Sequence, residues 1–361
     1  MPLKAIIDNK EVISSFLRED EWDELKKRIK LNSLDVVISQ TAKKGYLRKS
    51  KNGLQHFAHK KGEMPEDWKP ESPQHLYVKN EILLGCKDAG WDSYPEFKEN
   101  DWEADVLAIK GKHRIAFEVQ WSAQSYDKTI ERQKKYDRDG VRCCWLFKKP
   151  PKKFRKWSDD LDAKKEIPLF KIFEDHDKDI KVNFYGKIFS VRSFIKTLLE
   201  SKIKFSSQAK AQRKQSISIN FFKTICWKCG AIQHSYFLQE TVKSKCGLDI
   251  NLMHSMWDEK DLKYNPYIIK AVNDFTKTDK GSEIHIGQIK KRYSKTGNSY
   301  YKSFGCYKCD SIFGDSYLRT EIMEARMFNA YIELKAEIEL PEIIEDRDHW
   351  CYSEENNFCC K

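Results

Sequence analysis

The chain has 361 residues, 40% hydrophobic and 13% aromatic, enough for two or three cores and too apolar for a disordered chain. No run of eighteen apolar residues occurs, which excludes a spanning helix, and Met1 to Asp20 lacks the pattern of a secretory signal, so the sequence predicts a cytoplasmic protein. The net charge of +11 is uneven, with 12 basic and three acidic residues from Lys128 to Lys156, five basic and no acidic from Lys202 to Lys214, and 11 acidic against three basic from Glu321 to Glu355. A basic middle suits DNA or RNA, and equally a solvated lysine-rich face.

In chain order, Lys4 to Ile7 and Glu11 to Ser15 read as strands around an Asp8-Asn9-Lys10 turn. Glu19 to Lys30 reads as a helix with Trp22, Leu25 and Ile29 on one face, and Leu34 to Ser39 as another strand. A Gly- and Lys-rich hairpin ends in His56-Phe57-Ala58-His59, and Gly62 to Pro70 is a polar linker. Glu71 to Ala89 reads as a helix with Leu76, Ile82, Leu83 and Cys86 on its apolar side. Glu71, His75 and Lys79 recur every four residues and share another side.

After Gly90 the period changes to that of strands, at Ser93 to Glu99, Ala104 to Lys110 and Arg114 to Gln120, with a hairpin turn at Lys110-Gly111-Lys112-His113. Tyr126 to Arg138 reads as a helix ended by Gly140, and Val141 to Phe147 as an apolar strand. The order is helix, three strands, helix, strand. Pro150-Pro151 marks an exit. Ile167 to Phe173 and Ile180 to Tyr185 read as strands, Val191 to Leu199 as a short helix, and Ala209 to Gln215 as a basic linker. A cysteine-containing region starts at Ile217, and the last thirty residues read as an acidic helix or strand region with an irregular tail. The expected division is a small α/β module at 1–62, a central domain with a basic extension at 63–205, and a cysteine-containing domain with an acidic tail at 206–361.

Asp105 lies near the start of one strand and Glu118 near the end of the next, so antiparallel pairing brings both to one face. Two adjacent carboxylates make an oxygen site for Mg²⁺ or Mn²⁺, which suits phosphodiester cleavage. Strands also carry solvated acids on an outer face, but Ile115, Ala116, Phe117 and Val119 surround Glu118 with apolar residues. A carboxylate there is costly unless paired or metal-bound.

These stretches together carry a resemblance. Glu71-Ser72-Pro73-Gln74-His75 with Lys79, Ala104-Asp105-Val106-Leu107, Ala116-Phe117-Glu118-Val119-Gln120 with Ser122, and Arg132 with Tyr136 resemble the competence protein CoiA-like family over about residues 1 to 150. The resemblance implies a nuclease domain of the PD-(D/E)xK superfamily, with a restriction-endonuclease-like αβββαβ core of α+β class. It implies that Asp105 and Glu118 are the metal-binding acids and that Gln120 replaces the superfamily lysine. A glutamine can orient a water but supplies no charge. Lys79 or Arg132 is the candidate source of that charge, and Glu71 or His75 a further ligand or proton acceptor. Tyr136 reads as structural. The His56-Phe57-Ala58-His59 segment resembles the end of the family's N-terminal module. The C-x-x-C expected before it is replaced by Ile38-Ser39-Gln40-Thr41-Ala42, so no metal is assigned there, and His56 and His59 read as packing or hydrogen-bonding residues.

Cys226-Trp227-Lys228-Cys229 and Cys306-Tyr307-Lys308-Cys309 are two closely similar knuckles, 76 residues apart. Four thiolates from two such turns suit tetrahedral structural Zn²⁺, whereas separate redox pairs would be the other reading. The long interval implies an inserted subdomain with an apolar helix around Tyr267 to Phe275. Cys86, Cys143, Cys144 and Cys246 read as buried small hydrophobes. His349, Cys351, Cys359 and Cys360 form an irregular candidate for a second metal site.

The leading expectation is a Mg²⁺-dependent deoxyribonuclease acting in DNA uptake, recombination or defence, working with DNA, or RNA, and with recombination or defence proteins, and away from membranes. The alternatives are a non-catalytic DNA-binding recombination accessory that keeps the nuclease fold, and a zinc-ribbon scaffold whose acidic tail contacts protein partners.

Overall fold

The computed structural model describes residues 2–66, 68, 71–155, 161–252, 262–354 and 358. The chain forms two compact units, one of residues 1–207 with 348–357, the other of residues 208–347 with 358–361. The strands β13 (Ile203–Lys210) and β21 (Ile344–Tyr352) contain the points where the chain passes between them.

The first unit begins with a five-stranded sheet in the order β2-β1-β3-β4-β5, from β1 (Lys4–Ile7), β2 (Lys10–Ile13), β3 (Val36–Ile38), β4 (Lys43–Lys49) and β5 (Gln55–His59). Asp8 and Asn9 both take positive φ, which the tight β1–β2 turn requires and which these two residue types tolerate. Helix α1 (Glu19–Leu31) buries Trp22 and Leu25, with the Trp22 ring 5.5 Å from that of Phe57. The two histidines of β5 are hydrogen-bonded, His56 Nδ1 at 3.1 Å from the Leu54 carbonyl and His59 Nε2 at 2.8 Å from the Thr41 hydroxyl.

Next comes α2 (Pro73–Asp88), then β6 (Asp92–Glu99), β7 (Trp102–Lys110), β8 (His113–Gln120), α3 (Tyr126–Arg138) and β9 (Arg142–Phe147), the αβββαβ order expected from the sequence. β10 (Leu169–Glu174), β11 (Ile180–Phe184) and β12 (Lys187–Ser190) extend the sheet to seven strands ordered β12-β11-β10-β9-β8-β7-β6. β8, β9 and β10 run parallel and the flanking pairs antiparallel. Strand alternation sends Val106, Ala108, Phe117 and Val119 to one face, under Leu76, Ile82 and Leu83 of α2 and Phe194 and Ile195 of α4 (Val191–Leu199). It sends Leu107, Ala116, Trp145 and Phe147 to the other, near Tyr136 of α3. α2 and α4 touch closely at Gly85, where a Cβ would stand 2.7 Å from the Arg192 carbonyl oxygen. Ser72, Ser125 and Ser190 cap α2, α3 and α4 through hydrogen bonds from backbone N–H groups.

The second unit has a three-stranded sheet β15-β14-β20, from β14 (Lys214–Ile225), β15 (Ile232–Leu238) and β20 (Ile332–Glu339), all antiparallel. The hairpins β16 (Thr241–Lys243)–β17 (Asp249–Asn251) and β18 (Lys290–Ser294)–β19 (Ser299–Ser303) accompany it. Helix α5 (Pro266–Phe275) matches the expected apolar helix and stacks Phe275 on Phe221 at 5.5 Å, and α6 (Asp315–Met327) follows. The stretch Ala209 to Gln215, read as a linker, is instead largely strand. Its polar residues alternate with buried Ala209 and Ala211 at a sheet margin, where backbone pairing does not need apolar side chains.

Candidate active site and cysteine cluster

Glu71, which precedes the N-cap Ser72 and so lies outside the helix expected to begin there, and His75 in the first turn of α2 stand beside Asp105 of β7, and their ligand atoms all lie within 4.8 Å of one another. The β7–β8 ladder runs as far as Val106 opposite Phe117. One step further Asp105 breaks from strand pairing, and its Oδ2 accepts the Val119 N–H at 2.8 Å while Oδ1 lies 3.1 Å from His75 Nε2. Lys79, one turn after His75, is fully buried, and its Nζ donates to Glu71 and to Glu96, each at 2.9 Å, and lies 4.0 Å from Asp105. Glu96 was not among the residues singled out from sequence. It stands in β6 at a φ of 48°, and its Oε1 also accepts the Leu3 N–H at 3.0 Å. That left-handed backbone costs about 1–3 kcal/mol in a non-glycine residue, and here it accompanies an inward-turned carboxylate.

The electrostatics follow. Burial opposes the Lys79 ammonium, but Glu96, Glu71 and Asp105 outweigh it and raise its pKa, so the lysine is charged. Burial would raise the Asp105 carboxyl, yet the charges of His75 and Lys79 hold it well below the usual carboxylate range. Burial also disfavours the His75 imidazolium, and Asp105 and then Glu71 overcome this, lifting His75 above its ordinary value. One buried cation thus holds three acids together. Lys79→Met is expected to destabilise the protein by about 3–5 kcal/mol, because it leaves buried carboxylates uncompensated. A urea midpoint unchanged from wild type would contradict this account of the network.

Glu118 lies outside the Glu71–His75–Asp105 cluster and turns toward α3. Its Oε1 accepts from Arg132 Nη2 at 2.5 Å and from the Tyr136 hydroxyl, while Oε2 is buried without a hydrogen bond. Arg132 and Tyr136, four apart on α3, reach the same oxygen, so Tyr136 is a direct partner of this acid beyond its structural place. The Arg132 guanidinium also lies 5.2 Å from the Trp145 ring and 3.4 Å from Gln124 Oε1. Burial, then the charge of nearby Asp105, push the Glu118 carboxyl up to about 8 against the pull of Arg132 and Tyr136. Gln120 is half-buried at the end of β8, on the same side of the strand as Glu118 by alternation. Sequence reading paired Asp105 directly with Glu118. In the structure each acid has its own partners: the Val119 N–H of β8 and His75 and Lys79 of α2 surround Asp105, and Arg132 and Tyr136 of α3 hold Glu118.

Residues 71–223 match the family model described as the competence protein CoiA nuclease-like domain. Over this segment the chain is similar to that family. The match covers somewhat less than half of the chain. It begins at Glu71 and takes in the whole seven-stranded sheet with α2, α3 and α4, continuing into β14. It thus extends beyond the resemblance read from sequence at one end and omits the first sheet at the other. No curated relative matches the chain. The CoiA nuclease-like domain therefore contains every acid and base of the site, while Leu3, which anchors Glu96, precedes it.

The second unit brings the two C-x-x-C knuckles together, with all four Sγ atoms within 4.8 Å of one another. Cys226 and Cys309 Sγ are 3.6 Å apart, as are Cys229 and Cys306, and all four are free of disulfides. Each knuckle is the same tight turn. Gly230 N–H donates to the Cys226 carbonyl and Asp310 N–H to the Cys306 carbonyl, both at 2.9 Å, and both Gly230 and Asp310 have positive φ. Gln233 links the turns, donating to the Gly305 carbonyl at 3.2 Å and accepting from Tyr307 N–H at 2.9 Å. This cluster could hold a metal ion. Cys86, Cys143, Cys144 and Cys246 are buried. Cys359 and Cys360 of the irregular second set lie outside the described residues.

Proposed function

We propose that the protein is a divalent-cation-dependent nuclease that hydrolyses phosphodiester bonds in DNA, acting in DNA uptake, recombination or defence against foreign DNA. The observation that carries this reading is the donor set around Asp105. Glu71 Oε2 and Glu118 Oε2 are buried without a hydrogen bond, and His75 Nε2 faces the Asp105 carboxylate at 3.1 Å without good hydrogen-bond geometry. Buried polar atoms are rarely left so, and carboxylate oxygens with one imidazole fit Mg²⁺ or Mn²⁺. The site therefore fits a cation held by Asp105 with Glu71 and His75, with the buried Glu118 carboxylate, whose Oε2 has no hydrogen bond, as a further acid on the next strand.

Such an ion supplies charge stabilisation at the phosphate and a more acidic water. The chain's own residues do the rest. Lys79 stays charged and keeps Glu71 and Asp105 in place. Arg132 holds Glu118 and offers positive charge at the edge of the site. Gln120 orients water by hydrogen bonding, without the charge of a lysine. The basic stretch from Lys128 to Lys156 attracts the phosphate backbone. Four cysteines in two matched turns favour structural Zn²⁺ in the second unit.

A second reading, an accessory protein that binds DNA without cutting it, is favoured by one observation. Glu118 is already engaged by Arg132 and Tyr136. The test is a cleavage assay on linear, circular, single- and double-stranded DNA with and without Mg²⁺ or Mn²⁺. Metal-dependent cleavage is expected, rising from pH 6 toward pH 8, because the proton on Glu118 competes with the cation below its pKa of about 8. Gln120→Ala should slow cleavage by about tenfold, less than loss of an acid, since it removes one neutral hydrogen bond. DNA binding without cleavage of any substrate would make the accessory reading the better one.

A further inference from the structure

We infer that the β18–β19 hairpin of the second unit is a binding platform for single-stranded DNA, additional to the candidate active site. The register pairs Tyr293 with Tyr300 and Lys291 with Lys302, so alternation places two tyrosines and two lysines on one face of the ribbon. The other face is tied down. Buried Arg292 donates to the Ser303 carbonyl at 2.7 Å and the Gln288 carbonyl at 2.9 Å and pairs with Asp310, and a Cβ on Gly305 would collide with its guanidinium. The Tyr264 hydroxyl donates to the Lys302 carbonyl at 2.7 Å. A two-stranded ribbon is marginal alone, and these contacts fix it beside the Cys306–Cys309 knuckle.

The tyrosine face is open. Tyr293 is 44% and Tyr300 70% exposed, and their ring centroids stand 5.1 Å apart at an interplanar angle of 56°. Residues 288–303 include Lys290, Lys291, Arg292, Lys295 and Lys302 and no acid. The Tyr293 hydroxyl is held by Asn298 at the turn, which steadies its ring. Exposed aromatic rings flanked by lysines fit a flexible polyanion whose bases can unstack and lie on them. A duplex keeps its bases stacked internally and gains only the lysines' charge, and an acidic peptide has no flat group for the rings. The charge complementarity and the paired rings therefore commit the surface to single-stranded nucleic acid, here DNA.

The test measures binding of the full chain to labelled oligothymidylate and to a duplex of equal length by fluorescence anisotropy, without divalent cation to suppress cleavage. Tyr293→Ala with Tyr300→Ala should weaken oligothymidylate binding at least about tenfold and leave the duplex affinity within about twofold. Tyr293→Phe with Tyr300→Phe should retain wild-type affinity, since stacking needs the ring and not the hydroxyl. Lys291→Gln with Lys302→Gln should reduce the salt slope of oligothymidylate binding by about 0.7 for each phosphate no longer neutralised. Equal affinity of the double-alanine variant and wild type, at equal zinc content and equal circular dichroism, overturns the proposal. So does tighter binding of oligouridylate than of oligothymidylate. The cleavage assay is read separately. A hairpin effect in a protein that cuts nothing sustains this inference and removes the nuclease reading, and cleavage with no hairpin effect does the reverse.

Discussion

Asp105→Asn is expected to reduce DNA cleavage by roughly a thousandfold or more while leaving the protein folded. Asp105 is the centre of the Glu71–His75–Lys79 side of the site, since His75, Lys79 and the Val119 N–H all converge on its carboxylate. An asparagine retains an oxygen to accept the Val119 N–H, so the local backbone has no reason to move. What it loses is the negative charge. Weakening cation binding at the point of charge development costs about 4 kcal/mol or more of transition-state stabilisation, which is roughly a thousandfold in rate. On the proposed function, DNA binding should change by much less, because phosphate attraction is assigned to the basic stretch from Lys128 to Lys156 and not to Asp105. The same variant removes the leading cause of the raised His75 pKa, so burial should then hold the imidazole at a lower value. An NMR titration of the metal-free protein reads that shift independently of catalysis. Wild-type cleavage rates in Asp105→Asn, at equal folding, would place the activity in another site or another protein.

The sequence made the frame of this domain legible and hid the wiring of its site. The helices α2, α3 and α4 fall close to the expected bounds because Ser72, Ser125 and Ser190 are strong caps and the strands between them alternate cleanly. Most residues of the candidate site could be singled out as well, but the helix expected to carry Glu71 together with His75 and Lys79 begins only at Pro73, so Glu71 approaches from the segment before its cap. Which acid meets which partner was not visible. Period-two alternation gives the face of Glu118 but not the helix that covers it, and the i, i+4 spacing of Arg132 and Tyr136 was the one local clue. Glu96 offered less still. Its role depends on a left-handed backbone and on Leu3, 93 residues away, and no local pattern encodes either. Pro95 beside it is a weak sign, since proline in a strand marks an edge or an irregularity, and β6 is the edge strand.

The largest expected effect on folding falls in the second unit. Cys229→Ser should abolish stoichiometric zinc and unfold much of this unit at temperatures where wild type is stable. The two knuckles are far apart in sequence, and the hydrogen bonds that link their surroundings among the described residues include Gln233 to Gly305 and Tyr307, the Trp227 indole to the Ile312 carbonyl at 3.0 Å and the Tyr317 hydroxyl to the Ile225 carbonyl at 3.5 Å. A metal bound by four thiolates would tie them far more strongly. Zn–S bonds of about 2.3 Å in a tetrahedron place neighbouring sulfurs about 3.8 Å apart, close to the 3.6 Å found for both pairs. Structural zinc contributes on the order of 10 kcal/mol or more of binding free energy at neutral pH, comparable to the whole stability of a domain. Three cysteines and a serine form a much weaker site, and the long excursion between the knuckles, with α5 and the β18–β19 hairpin, then loses its anchor. Metal analysis should give about one zinc per wild-type chain and well below that in the variant after dialysis against a chelator. Calorimetry should show an early transition for the second unit alone, while the first unit, with its own core, keeps its melting temperature. Lys308→Ala, an exposed change inside the same knuckle, should leave both readouts unaltered. Full zinc occupancy in Cys229→Ser would mean that the ion, if present, is held by another set of ligands.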